Sequence, residues 1–112
     1  MSYEQALILN IKLSDDDFGT EDMQQSLMDW ELKTMDLIKA TVPGGTLDGH
    51  CFGGGFCQVF FYGPNVDEVE AFVLPEMAKI PASEGSYYIK QYGKALDENV
   101  KKIRVDLQPK SP

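Results

Sequence analysis

Three consecutive glycines, Gly53-Gly54-Gly55, separate two stretches that each alternate with period two, and no other feature constrains the fold as much. A glycine run between alternating segments is the signature of a β-hairpin, because tight turns need the positive φ that glycine adopts without steric cost. From Phe56 to Tyr62, Cys57, Val59 and Phe61 oppose Phe56, Gln58, Phe60 and Tyr62. From Thr46 to Phe52, Leu47, Gly49 and Cys51 oppose Thr46, Asp48, His50 and Phe52. Treating all three glycines as the turn pairs Phe52 with Phe56, Cys51 with Cys57 and His50 with Gln58.

The flanking chain repeats two patterns. Ala6 to Leu13 alternates, with Leu7, Leu9, Ile11 and Leu13 on one face and Ile8, Asn10 and Lys12 on the other. A helix is predicted from about Thr20 to Ala40, with Thr20 as N-cap and Glu21 and Asp22 at the positive end of its dipole. Its stripe is Met23, Leu27, Trp30, Met35 and Ile38, widened by Met28 and Leu32. Val42-Pro43-Gly44-Gly45 stops it. A second helix starts after Gly63-Pro64, with Asn65 and Glu68 spaced as a capping box and Val66, Val69, Phe72, Val73, Met77 and Ile80 inward. Pro75 should kink or restart that helix, and Pro81 should end it. Ser86 to Tyr92 reads as a strand and Gly93 to Asn99 as a polar loop. Lys102 to Leu107 reads as a last strand, with Ile103, Val105 and Leu107 inward.

The predicted order is β-α-β-β-α-β-β within a single domain of residues 1–107, followed by a disordered tail, 108–112. Two amphipathic helices and five one-sided strands make an α+β two-layer sandwich. The hairpin between two split β-α-β units is the ferredoxin-like βαββαβ arrangement plus a C-terminal strand. The expected sheet order is 4-1-3-2, with the fifth strand beside the fourth.

If both helices cover one face, the other face presents whatever the domain uses. Asn10, Lys12, Asp48, His50, Phe52, Gln58, Phe60 and Tyr62 are the candidate binding residues on it. The fourth strand adds either Tyr88, Lys90 and Tyr92 or Tyr87, Ile89 and Gln91. Such an aromatic-polar surface can stack a ligand, pair with a second copy or hold another protein.

Charge narrows the choice. The net charge is −8 and there is one arginine, Arg104, so a nucleic-acid backbone is excluded, as is an RNA-binding use of this face. Acylphosphatase chemistry wants an arginine near the first loop, and none stands there. The glycines lead into a strand with no following Gly-Lys-Ser/Thr, so they are not a phosphate loop. Ser14-Asp15-Asp16-Asp17 lacks the glycine and terminal glutamate of a calcium loop, and no metal or cofactor is expected. Cys51 and Cys57 are not spaced as a metallochaperone pair. If directly opposed, they would form a strained cross-strand disulfide under oxidation. Two cysteines, no signal-peptide pattern and no long apolar run point to a cytoplasmic protein with free thiols.

The segments Asp48-Gly49, Gly53-Gly54-Gly55-Phe56, Phe60-Phe61-Tyr62-Gly63-Pro64-Asn65 and Ser86-Tyr87-Tyr88-Ile89-Lys90-Gln91-Tyr92-Gly93 resemble a group of small bacterial proteins. That group has a Gly-rich hairpin, a Tyr-Gly-Pro-Asp/Asn helix start and a Tyr-x-Ile-Lys-x-Tyr-Gly strand. The likeness spans residues 44 to 107. It implies turns, a helix cap and a strand end, and it carries over no catalytic residue because the group has no established activity.

The leading expectation is a non-catalytic binding or interaction module that uses the open sheet face. Its partner would be a second copy or another protein, including a basic toxin of the kind an acidic immunity protein neutralises. The alternative is a small-ligand protein or enzyme with a pocket over that face. There His50, oriented by Asp48, would be the base and Tyr62 an acid or anchor.

Overall fold

A computed structural model describes residues 5–13, 20–77, 79, 85–93 and 99–106. The elements are β1 (Gln5–Lys12), α1 (Glu21–Thr41), β2 (Thr46–Gly53), β3 (Phe56–Gly63), α2 (Val66–Met77), β4 (Tyr87–Gln91) and β5 (Lys102–Asp106). The strands form one antiparallel sheet in the order β2-β3-β1-β4-β5. The molecule is thus an α+β protein with both helices on one face of the sheet. Expectations for residues 14–17, Ile80, Pro81, the loop 94–98, Leu107 and the tail beyond it lie outside the described residues.

The core follows from the alternation. Leu7, Leu9 and Ile11 of β1 meet Phe61, Val59 and Cys57 of β3 in register, all essentially without exposure. Leu27, Trp30, Ile38, Val66, Val69 and Val73 pack on them from the helices. The Trp30 ring meets Phe61 edge-on at 6.3 Å, and its Nε1–H donates to the Glu76 carbonyl at 2.9 Å, tying α1 to the last turn of α2.

Local chemistry sets the element ends. The Thr20 hydroxyl accepts from the Met23 N–H at 3.2 Å. Val42 closes α1 by donating to the Ile38 carbonyl, and Gly44 turns the chain at φ +73°. A Cβ at Gly44 would lie 2.9 Å from Pro64, so the turn needs glycine for space as well as for conformation. Asn65 does cap α2, its Oδ1 accepting from the Asp67 N–H, while the Val66 N–H is taken by Gln5 Oε1 of β1. The helix runs through Pro75 and continues to Met77. It neither stops nor restarts at the proline, which deprives only the Ala71 carbonyl of a helical donor.

The hairpin departs from expectation. Only Gly54 (φ +62°) and Gly55 (φ +83°) form the turn, both in the left-handed region that a two-residue type I′ turn requires, and Gly53 pairs with Phe56. The register therefore shifts by one residue from that of a three-residue turn, and a shift of one reverses every side chain near the turn. Cys51 pairs with Gln58, Phe52 with Cys57 and His50 with Val59. A bulge between Leu47 and Gly49 absorbs Asp48 and restores the phase, so Leu47 still meets Phe61.

Candidate functional site

The sheet face away from the helices is built of rows that run across the strands. Phe60, Ile8 and Ile89 form the central row, between Gly49 at one edge and Arg104 at the other. On one side lie Cys51, Gln58, Asn10, Tyr87 and Asp106; on the other lie Thr46, Tyr62, Ala6, Gln91 and Lys102. Phe60, Ile8 and Ile89 are half-buried by their row neighbours, and the helices do not roof them. The fourth strand thus contributes Tyr87, Ile89 and Gln91, while Tyr88 and Lys90 face the helices.

Amides frame the apolar row. Gln58 Nε2 donates to Asn10 Oδ1 at 2.9 Å, and Asn10 Nδ2 lies 3.3 Å from the Ile8 carbonyl. Gln91 is 4% exposed, and its Oε1 has no hydrogen-bond partner among the described residues. Aromatics and cations close the margins. Phe56 meets Tyr87 edge-on at 5.9 Å, Lys12 Nζ lies over Phe56 at 5.6 Å, and the Arg104 guanidinium stacks on Tyr87 at 3.8 Å.

Of the residues expected on this face, Asn10, Lys12, Gln58, Phe60 and Tyr62 are there. His50 and Phe52 are not, and this corrects the sequence reading. With the two-residue turn both point toward α1, where the Phe52 side chain packs against the core. Asp48 sits exposed in the bulge. His50 and Tyr62 therefore occupy opposite sides of the sheet, and the set His50, Asp48 and Tyr62 is not brought together. Cys51 and Cys57 likewise face opposite ways and are free thiols, so the cross-strand disulfide has no geometry in which to form.

His50 has a different partner. Its Nδ1 lies 2.6 Å from Oε1 of Glu31 on α1, a carboxylate with only 9% of its side chain exposed. Leu27, Met28, Phe52, Cys57 and Val59 surround the pair in a cleft with no room for a water molecule. Burial first, then the charge of Glu31 and the neighbouring Cys51, push the Cys57 thiol up to about 12, which removes it as a nucleophile. Glu31 escaped the sequence reading because it looks like one more helix acid. Its spacing, four after Leu27 and seven before Ile38, puts it on the buried stripe, and that was the available signal.

A second ionic cluster joins α2 to β4. Lys90 Nζ is 2.9 Å from Glu70 and 2.8 Å from Asp67, Tyr88 donates to Glu70, and Tyr92 donates to Asp67 at 2.7 Å. Hydrogen bonds to Asp67, Tyr92 and Glu70 raise Lys90 despite its burial; burial and Glu70 raise the Tyr88 phenol. Each charge is answered, so the cluster holds structure together and leaves no reactive group. Among the described residues no three His, Cys, Asp or Glu side chains are grouped to hold a metal ion, and no helix is long and apolar enough to cross a membrane.

Charge is divided by layer. Helix α1 carries Glu21, Asp22, Asp29, Glu31 and Asp36 against Lys33 and Lys39, and α2 carries Asp67, Glu68, Glu70 and Glu76 with no base. The five strands carry Asp48 and Asp106 against Lys12, Lys90, Lys102 and Arg104. No protein-family model matches the chain, and no curated protein or solved structure matches it.

Proposed function

We propose that this protein is a non-catalytic interaction module, that its working surface is the open sheet face, and that the first partner of that face is a second copy. The observation that carries the reading is the partly exposed apolar row Phe60, Ile8 and Ile89, which neither described helix covers, in a layer without the chain's negative charge. A strongly acidic chain resists self-association through its own repulsion. Here sheet-to-sheet contact turns both acidic helix layers outward. A two-fold axis along the strands would set Lys102 and Arg104 of one copy over the β2 edge of the other, where Asp48 stands. Strand order and pairing support a ferredoxin-like sandwich extended by β5, and two free thiols support a reducing, cytoplasmic setting.

Size sets the strength. Five strands about 4.8 Å apart and up to eight residues of about 3.3 Å give a footprint of roughly 600 Å² per copy. That is the low end for a specific interface, which suits association in the micromolar range. Sedimentation across that range should show a monomer–dimer equilibrium, and Ile8→Lys should abolish it without altering the helix signal in circular dichroism. A chain that stays monomeric at high micromolar concentration overturns the reading. The acid-rich helix layer favours a second reading, a basic protein partner of the kind a toxin-neutralising protein holds, and that partner would use the opposite side of the molecule.

A further inference from the structure

The middle of helix α1 is tied to the C-terminal turn of α2. The Trp30 side chain bridges to the Glu76 carbonyl there. At the C-terminus of α1 a cleft of about 290 Å³ is lined by Thr41, Val42, Glu68, Ala71 and Phe72. The walls are thus mostly apolar, and the volume is that of one or two large side chains.

Two acceptors lie on this lining. The Glu68 carboxylate makes no hydrogen bond or ion pair among the described residues, whereas Asp67, Glu70 and Glu76 are all paired with lysines. The Ala71 carbonyl would receive its helical hydrogen bond from residue 75, and Pro75 has no N–H to give. Among the described residues no basic side chain lines the cleft, and α2 contains none. An apolar slot with an unanswered anion, in a layer of nine acidic and two basic residues, complements an apolar side chain next to a cation.

We propose that this cleft is a docking groove for an amphipathic basic segment of another protein. The segment would seat one aliphatic or aromatic side chain between Val42 and Phe72 and bring a lysine or arginine onto Glu68. Helix-in-groove recognition of this kind uses anchors spaced three and four apart. The groove lies on the opposite side from the open sheet, so the proposal does not depend on self-association and either can fail alone.

The test is an amide-resolved NMR titration with a synthetic helical peptide of leucine and lysine in amphipathic spacing, and with its leucine–glutamate counterpart. The basic peptide should shift Thr41, Val42, Glu68, Ala71 and Phe72 saturably, and the acidic one should not. Glu68→Lys should weaken binding at least tenfold. Asp36→Lys, the same charge change on the outer face of α1, should alter it less than twofold. Both sites are exposed, so an unchanged spectrum elsewhere verifies the fold. Equal weakening by the two variants would mean attraction to the acidic layer at large, and would overturn the groove. Shifts confined to the open sheet, or no saturable shift, would overturn it too.

Discussion

Each helix carries an acid down to the sheet, and the two are received differently. Glu70 of α2 meets Lys90 and Tyr88, with Asp67 and Tyr92 completing a closed network around a fixed cation. Among the described residues the Glu31 carboxylate of α1 meets His50 alone, on the edge strand, and His50 is charged only when protonated. The α2 side is cross-linked to a strand paired on both sides; the α1 side has one polar side-chain contact to the sheet, His50–Glu31, with hydrophobic packing and the Trp30 tie to α2. The difference teaches that a buried carboxylate needs an answer but not a strong one, provided its strand lies at the margin.

The largest expected effect comes from removing the cation. Lys90→Met leaves Glu70 partly buried without its counter-charge and should cost roughly 3 kcal/mol in urea unfolding. Adding Glu70→Gln should recover most of that, because the amide still accepts from Tyr88. A recovery near zero would mean that Lys90 contributes by packing its methylenes, and the contrast between the two helices would collapse.

Alkaline pH should act on the same side. Tyr88 and Lys90 hold their protons more tightly folded than unfolded, so their contribution is intact below the ordinary values of 10.0 and 10.5 and is lost as pH rises above them. Cys57 adds a loss that begins above 9.0 and ends at about 12. Stability should therefore be flat to about pH 9 and fall beyond it. Cys57→Ala should move the onset of the fall up from about pH 9 toward pH 10, and Lys90→Met should flatten the fall beyond that; an onset that stays at pH 9 without the thiol would take Cys57 out of the account.

His50→Ala should cost less, about 1–2 kcal/mol, since it leaves Glu31 unanswered at a site where water can enter past a side chain already one-third exposed. The reverse truncation, Glu31→Met, should cost less still, because an imidazole one-third exposed can be hydrated and the cleft is otherwise apolar. If Glu31→Met proves the worse of the two, Glu31 does more than satisfy His50.

Much of this was legible in the chain. The period-two pattern of β1, β3 and β5, the strand order and most of the two helix stripes could be read, because each rests on many residues voting together; Met28 and Leu32, expected to widen the α1 stripe, are exposed instead, and Glu31 and Thr34 take the buried positions. What failed rests on single residues. Any two of three glycines can make the turn, and β2, with Gly49 and Cys51 among its few side chains, has too little pattern to choose. The bulge at Asp48 adds a residue with no periodic trace. Together they put His50 and Phe52 on the wrong face. Glu31 and Lys90 were hidden for a different reason: composition shows that acids and bases exist, but only packing shows which are paired.

The smallest effect gives the sharpest comparison. Cys57 lies beneath α1 beside Glu31, whereas Cys51 is exposed, so a thiol reagent should modify Cys51 quickly and Cys57 at least a hundredfold more slowly. In a Cys51→Ser background, Cys57 labelling reports how often the α1–β2 cleft opens. If α1 is the loosely held helix, His50→Ala should speed that labelling by more than its loss of global stability accounts for. Lys90→Met, acting on the far side, should speed it by no more than its own loss does. Should both variants follow global stability alone, Cys57 is reached only by complete unfolding, and the two helices are held by one cooperative unit in spite of their different contacts.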